Sequence, residues 1–574
     1  MPVHNADIAG MFEQIADLLE IEGANPFRVR AYRNGARAVQ NYGRELADLV
    51  AKGEDLNNIP GIGEHLAAKI LEIVATGRCR ALEKLRKETP PGLAELLKVP
   101  GLGPKRVRAL YHELEVHTVE QLYRAAHDGR IRELAGFGEK TETRILEALA
   151  AHAEQPQRLK LAVAAQYAEP LADYLRKFPG VTEVTIAGSY RRARETVGDL
   201  DILVCGDDGD KIMDRFIQYE DVSEVQSQGP TRATVALRSG LQVDLRVVPM
   251  ESYGAALHYF TGSRTHNIAI RRRGQQRDLK INEYGVFKGK KRVAGATEES
   301  VFDAVGLPWI PPELRENQGE IEAAAHGLLP ELVTLADLRG DLHAHTKATD
   351  GHHTLEEMAS AAQERGFSYL AITEHSKRLT IAHGLDTTRL LRQMEDIDRL
   401  NARLKGITLL KGIEVDILED GSLDLPDDVL GKLDLVIGAV HSQFHLPRAK
   451  QTTRILKAMD HPHFTLLAHP SGRLLGKRDP YDVDMPRIIH HAKQRGCYLE
   501  VNAHPERLDL TDTYCRMARD EGVLVAVNSD AHSIADFGNL NFGVAQARRG
   551  WLRKLDVLNT RSLSELRKLL KRTM

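Results

Sequence analysis

From about residue 337 onward, seven apolar runs alternate with segments of helical period. The runs begin near Asp341, Tyr369, Thr408, Asp434, Phe464, Cys497 and Val523. Strands that are apolar throughout, each followed by a helix, are covered on both faces, so the alternation predicts a parallel α/β barrel. Between about Arg158 and Asn317 strand-like runs predominate, at Val184–Ala187, Asp201–Val204, Thr234–Leu237 and Gln242–Val248. The stretch from Leu307-Pro-Trp-Ile-Pro-Pro to Gly319 reads as a loop or linker. Residues 1 to about 85 read as helices with a punctuated hairpin, and residues 90–152 continue in the same style.

One short pattern occurs three times in that helical region: Ile-Pro-Gly61-Ile-Gly63, Val-Pro-Gly101-Leu-Gly103 and Leu-Ala-Gly136-Phe-Gly138. Each is followed by a polar helical stretch with an apolar residue seven positions after the second glycine, at Ile70, Leu110 and Ile145. A Gly-apolar-Gly turn that opens a helix leaves backbone N–H groups uncovered, where a DNA phosphate can accept from them. A single copy is equally well read as a tight turn between helices. Three copies favour a grip on the DNA backbone, and they resemble helix-hairpin-helix elements.

The 574 residues are enough for roughly four domains. With 42% hydrophobic residues the chain can bury several cores. Cys79, Cys205, Cys497 and Cys515 show no paired spacing, which suits thiols in a reducing compartment. No secretory leader and no membrane-length apolar run is seen, so a soluble protein of the cytoplasm is expected. The net charge of −3 gives no global reason to bind nucleic acid. Local charge differs: from Arg264 to Arg292 there are ten Lys or Arg against Asp278 and Glu283. Taken alone, that run reads as a solvated basic loop.

Nine potential metal ligands stand at the ends of the apolar runs in the last third of the chain: His343, His345, Asp350, His375, Glu414, His441, His469, Asp530 and His532. Imidazoles and carboxylates delivered from many strand ends of a barrel can assemble a multinuclear centre that clamps a phosphate and ionises a bridging water. For any one His the plain alternative is a structural or exposed residue, and His352, His353 and His445 fit it. With no thiolate in the set, Zn²⁺, Mn²⁺ and Fe²⁺ all suit.

Asp199 and Asp201 lie two apart in Gly-Asp-Leu-Asp-Ile-Leu. On a strand they share a face, so both can reach one cation or bridge two. Asp244 sits inside another apolar run, a costly place for a charge without a cation. Gly188-Ser189-Tyr190-Arg191-Arg192, just upstream, offers a hydroxyl, guanidinium groups and open backbone to phosphate oxygens. The pair Tyr259-Phe260 would pass for ordinary core without the Thr-Gly-Ser that follows.

These stretches, with Tyr259-Phe-Thr-Gly-Ser263 and Ile281-Asn-Glu-Tyr284, closely resemble the family X DNA polymerases. The resemblance implies a nucleotidyltransferase palm in which Asp199, Asp201 and Asp244 hold Mg²⁺. It further implies that Ser189, Arg192, Gly198 and Arg158 hold the triphosphate, that Tyr259, Phe260 and Gly262 pack the sugar, and that Asn267 and Arg271 touch the nascent pair. Pro26-Phe-Arg-Val-Arg-Ala-Tyr32 and His65-Leu-Ala-Ala-Lys69 resemble the lyase domain of the same polymerases, with Lys69 at the Schiff-base position and Arg28, Arg30 and His65 as cationic neighbours. The plainer role for Lys69 is binding the 5′-phosphate of a gap.

The nine ligands resemble, in order and spacing, the polymerase and histidinol phosphatase (PHP) family. That implies a distorted (β/α)7 barrel with a trinuclear Mn²⁺ or Zn²⁺ site. The expected domains are a helical lyase-like, 5′-phosphate-binding domain over 1–85, helix-hairpin-helix DNA binding over 86–155, and palm with nascent-pair subdomain over 156–317. A linker over 318–336 and the PHP barrel over 337–574 complete the chain. The expected function is gap-filling DNA polymerase in base excision repair, with 3′-5′ exonuclease and 3′-phosphatase or abasic-site endonuclease action by the PHP domain. Gapped or nicked DNA and dNTPs are the expected partners of a monomer without membrane contact. Competing readings are an end-processing nuclease whose polymerase half only holds DNA, and a silent DNA-end scaffold.

Overall fold

A computed structural model describes residues 3, 5–40, 42, 46–59, 61–89, 93, 96–97, 99, 101–134, 136–152 and 158–571. The chain forms two compact units. One holds residues 1–158 with 218–224 and 236–241, and the other holds the remainder.

Among the described residues up to 158 the first unit holds helices and no strand, and its three glycine patterns share one geometry. The first glycines, Gly61, Gly101 and Gly136, have φ of +81°, +88° and +83°, a region in which a side chain would be strained. The residue after each donates its N–H back to the residue three before it: Ile62 to Ile59, Leu102 to Val99 and Phe137 to Leu134, each at 3.0 Å. The second glycines accept the first N–H bonds of the helices Glu64–Thr76, Pro104–Leu114 and Glu139–His152. Ile70, Leu110 and Ile145 are fully buried and lock each helix to its core. Pro60, Pro100 and Ala135, the second residues of the repeats, lie outside the described residues.

In the second unit, a two-stranded ribbon pairs β1 (Leu159–Lys160) with β3 (Thr196–Val197). It feeds a five-stranded sheet of β2 (Val181–Ile186), β4 (Asp199–Gly206), β5 (Val222–Gln228), β6 (Arg232–Leu237) and β7 (Gln242–Val248), in the order β2-β4-β7-β6-β5, of which residues 222–224 and 236–237 are grouped with the first unit. Strand β5 was not expected. Its residues are almost all exposed, so no apolar alternation marks it in the sequence.

The basic stretch 264–292 is not a loop. It forms the helix Arg264–Gln275 and an antiparallel sheet of β8 (Lys280–Asn282), β9 (Gly285–Lys288) and β10 (Lys291–Ala294). The segment after Leu307 is built into the fold as well. Arg315 is fully buried on Glu298, the helix Glu320–Ala325 follows, and Ile321 and Ala324 pack with Leu332 and Trp551.

The last region carries β11 (Gly340–Asp341), β12 (Tyr369–Ile372), β13 (Thr408–Asp416), β14 (Leu435–Ala439), β15 (Leu466–Leu467), β16 (Tyr498–Asn502) and β17 (Val525–Asn528). All are parallel and adjacent in chain order, seven strands as expected. A parallel bridge from Ala344 to Ala531 nearly closes the ring. Strand residues are buried except for the half-buried Thr408 and Lys411 on β13, with apolar side chains inside and a second apolar layer under the helices.

Candidate metal centres and their surroundings

In the palm, Asp201 on β4 stands directly opposite Asp244 on β7 in the parallel register, and Asp199 begins the same strand. Burial pushes the Asp201 carboxyl up to about 7, and the charges of Asp199 and Asp244 add to the rise. Gly188 (φ +62°) passes so close to Asp201 that a Cβ there would strike its carboxylate. The turn bearing Ser189 and Arg192 is thereby held against the acid pair. The Ser189 hydroxyl is buried without a hydrogen-bond partner.

Asp244 is differently placed. Burial raises its carboxyl, but hydrogen bonds from Thr234 (2.6 Å), Gln242 (2.9 Å) and Arg232 (3.0 Å) outweigh that and hold it below the usual range.

Tyr259 and Phe260 end the helix Tyr253–Thr261 and meet edge to face at 4.9 Å, with Arg271 over the Tyr259 ring and Arg246 over Phe260. Asn267 donates to the Tyr259 carbonyl at 2.7 Å. A Cβ on Gly262 would come within 3.1 Å of the Arg192 guanidinium, so the turn after the aromatic pair and the Ser-Tyr-Arg-Arg turn abut. Gly198 immediately precedes β4. Arg158 is exposed and falls in the first unit.

In the barrel, all nine predicted ligands converge. His343 and His345 follow β11, His375 follows β12, Glu414 lies near the end of β13, and His441 and His469 follow β14 and β15. Asp530 and His532 follow β17. Glu414 is the hub: His375 Nδ1 lies 2.7 Å from its carboxylate, His469 Nε2 2.8 Å, His441 Nε2 3.3 Å and His343 Nε2 3.5 Å. Asp530 lies 3.2 Å from His345 and 3.4 Å from His343, while Asp350 lies 3.5 Å from His375 and 3.6 Å from His532. Three overlapping groups have ligand atoms mutually within 4.8 Å: His345, Asp350, His375 and His532; His343, His345 and Asp530; His375, Glu414 and His441.

Whether these residues fit cations can be judged from their buried atoms. His343 Nε2, both ring nitrogens of His345 and Asp350 Oδ1 are buried without a hydrogen-bond partner, and His375 Nδ1 and Glu414 Oε2, though 2.7 Å apart, are not aligned for a hydrogen bond. So many orphaned polar atoms facing one another would be strongly unfavourable as a structural cluster, and they fit a set of divalent cations. Burial pushes His345 down to about 3, helped by the neighbouring His532 and His375, which favours the neutral imidazole that a cation requires.

A ring of acids behind the ligands was not anticipated. Glu500 on β16 accepts from His343 Nδ1 at 2.7 Å and from the His469 backbone, and Asp416 meets His441 Nδ1 at 3.1 Å. Such contacts fix which ring nitrogen faces a metal. Glu374 is held by Thr346, Thr349 and Gln393, and Asp341 by Ser529 and the His343 N–H. A lone acid in an apolar strand, as in Leu-Glu500-Val-Asn, is the signal that could have found Glu500.

Lys69 is exposed on the helix Glu64–Thr76, 6.0 Å from the Tyr32 ring, and donates weakly to the His65 carbonyl at 3.4 Å. Glu72 lies nearby; hydrogen bonds from Arg80 hold its carboxyl below the usual range, and Lys69 contributes to that.

Fold and centres together describe a nucleotidyltransferase palm joined to a phosphoesterase-type barrel. Comparisons agree. The chain matches the DNA polymerase beta palm over residues 162–244, the beta thumb over 256–316 and the PHP domain over 341–504. It also matches a helix-hairpin-helix domain over 3–79 and a SAM-like helix-hairpin-helix tandem over 93–151. It is 39% identical to the DNA polymerase/3′-5′ exonuclease PolX of Bacillus subtilis (strain 168), covering 99% of this chain and all of the relative. A protein of Thermoanaerobacter sp. (strain X514) named a probable phosphatase is 29% identical over 38% of this chain and 89% of its own length. A probable phosphatase of Acetivibrio thermocellus is 27% identical over 35% of this chain and 82% of its own. The chain belongs to the PolX family. Its domains imply DNA binding and divalent-metal use. Among the described residues no helix is long and apolar enough to cross a membrane.

Proposed function

We propose that the chain fills short gaps in DNA at the palm and trims 3′ ends at the barrel. The observation that carries the first half is the facing pair Asp201 and Asp244, with Gly188–Arg192 packed against it. Asp199, Asp201 and Asp244 would hold Mg²⁺, which when bound neutralises phosphate charge and eases ionisation of the primer hydroxyl. Asp244 must then exchange its hydrogen bonds with Thr234, Gln242 and Arg232 for that role. The buried Ser189 hydroxyl, Arg192 and Gly198 bind the dNTP triphosphate. Tyr259, Phe260 and Gly262 receive the sugar, and Asn267 and Arg271 meet the nascent pair. Attack on the α-phosphorus is assisted chiefly by positioning and charge neutralisation.

At the barrel, the nine ligands would hold Mn²⁺ or Zn²⁺, which when bound polarises a phosphate ester and supplies ionised water at neutral pH. Glu500 and Asp416 hold the imidazoles in the required orientation. Resemblance to proteins named as phosphatases favours 3′-phosphate removal as a second reaction of the same centre.

The three Gly-x-Gly turns, through Gly61, Gly63, Gly101, Gly103, Gly136 and Gly138, bind DNA phosphates on either side of a gap. Lys69, exposed and beside Glu72, contacts the 5′-phosphate rather than forming a Schiff base. The working form is a monomer in the bacterial cytoplasm acting in base excision repair. Extension of a primer across a one-nucleotide gap, compared with the same primer on an open template, tests the reading. Gap filling predicts faster extension on the gap, lost when the downstream 5′-phosphate is removed. Equal rates on both substrates would contradict it.

A further inference from the structure

Palm and barrel share one compact unit, and two buried arginines of the barrel, Arg473 and Arg549, reach into the palm. Arg473, four residues past the ligand position His469, has a side chain only 9% exposed. Its Nη1 and Nη2 donate to both oxygens of Glu195 in the palm, at 3.1 and 2.7 Å. Its Nε donates to the Arg507 carbonyl at 2.9 Å, and Nη2 also reaches the Leu508 carbonyl. Four of its five N–H donors are thus committed, two to each domain.

What these contacts hold bears on both centres. Glu195 lies between Arg192 and Gly198, and its carbonyl ties the ribbon by accepting from Leu161 at 3.0 Å. Gln546 of the barrel adds a second donor to Glu195 at 2.8 Å. Three residues before Glu195, the Arg192 carbonyl accepts from Arg549 of the barrel at 2.9 Å; Arg549 also donates to Glu316 at 3.1 Å, and Arg192 Nε pairs with the same Glu316 at 3.0 Å. The segment between Ser189 and Asp199 is therefore pinned by the barrel at both Arg192 and Glu195.

On the barrel side, Arg473 grips the loop that follows β16. That loop presents Arg507, whose Nε lies 3.7 Å from the Asp530 carboxylate, at the edge of the nine-ligand cluster. The loop has one further tie to the palm, Lys160 to Glu506 at 2.7 Å. Bidentate guanidinium pairs of this kind fix orientation as well as distance, and lysine cannot reproduce them.

We infer that Arg473, through Glu195, is a positioning residue shared by the two centres: it sets the triphosphate-binding segment of the palm and the Arg507 loop of the barrel at once. The inference rests on the proposed roles of Ser189, Arg192 and Gly198. It goes beyond them in making each centre depend on a residue of the other domain.

The test uses the full chain with Glu195→Gln, Arg473→Lys and the double variant. Three quantities are read: the KM and kcat for dNTP on gapped DNA, the KM and kcat for trimming a 5′-labelled single strand, and the thermal midpoint. A fourth, binding of an α,β-imido dNTP to dideoxy-terminated gapped DNA, reports nucleotide affinity without turnover. The expected result is a cross-effect: the barrel substitution raises the dNTP KM and weakens analogue binding about fivefold or more, and the palm substitution raises the trimming KM comparably. Both kcat values change less than the KM values, and the double variant is no worse than the worse single. Parameters within about twofold of wild type at both centres, or an effect confined to the centre in the mutated domain, would overturn it. Glu195→Gln, on a side chain 25% exposed, keeps the test readable if Arg473→Lys unfolds. A wild-type protein that neither extends nor trims would instead remove the functional reading beneath the inference.

Discussion

Asp201 faces Asp244 across the parallel pair of β4 and β7, and the two meet different surroundings. Asp244 is satisfied by three donors, whereas Asp201 carries the cost of burial and of two neighbouring charges. The carboxyl of Asp201 titrates near 7 in the folded protein and near 4 when unfolded, so folding is favoured by its proton below the lower value. That advantage is lost as pH rises through the folded value. Asp201→Asn should therefore stabilise the metal-free protein at pH 8, by about 2 °C or more in thermal midpoint, and by much less at pH 5. The same change should abolish primer extension. Thermal unfolding in chelator at the two pH values checks this, and a destabilised variant at pH 8 would contradict it.

Metal removal should act most strongly on the barrel, where orphaned ligand atoms face one another around Glu414. Returning Mn²⁺ or Zn²⁺ to chelator-treated protein at about a hundred times its dissociation constant should stabilise the barrel by about 2.7 kcal/mol. Glu414→Gln should remove most of that gain, because four imidazoles lose their common partner. Calorimetry with and without metal measures both. An unchanged transition on metal addition would speak against the centre.

Gly101 combines a φ of +88° with open space around its missing side chain. Gly101→Val should cost about 1 kcal/mol or more through backbone strain and also cover the amides of the turn. Affinity for gapped DNA should fall, by a similar factor for every sequence tested. Fluorescence anisotropy at two salt concentrations reads this out; a sequence-dependent loss would indicate base contacts instead.

Lys69→Ala should weaken binding of gapped DNA that carries a 5′-phosphate and leave DNA lacking it unaffected. Borohydride reduction in the presence of an abasic site should trap no more wild-type protein than Lys69→Ala. A wild-type-specific covalent adduct would restore the lyase role.

Much of this was legible because the ligands sit where apolar strands end. A barrel strand places its last residues at one rim, so His375, Glu414, His441 and His469 could be assigned to one face from spacing alone. The three glycine turns were legible for a similar local reason. What escaped depended on partners distant in sequence. Strand β5 has no buried face to imprint a period. Arg315 reads as a linker charge until Glu298 is seen to meet it in the core. Glu195, Arg473 and Arg549 look like surface charges in sequence, since only packing of two domains in one unit brings Glu195 within 2.7 Å of Arg473. The commitment of Asp244 to Arg232, Thr234 and Gln242 was equally invisible.

The most direct measurement follows a 5′-labelled primer on gapped DNA, with and without dNTPs, for wild type, Asp199→Ala and His343→Ala. Two separate centres predict extension lost only in Asp199→Ala and dNTP-independent shortening lost only in His343→Ala. Shortening with no extension by the wild type would contradict the polymerase assignment, and loss of both activities in either variant would contradict the separation of the centres.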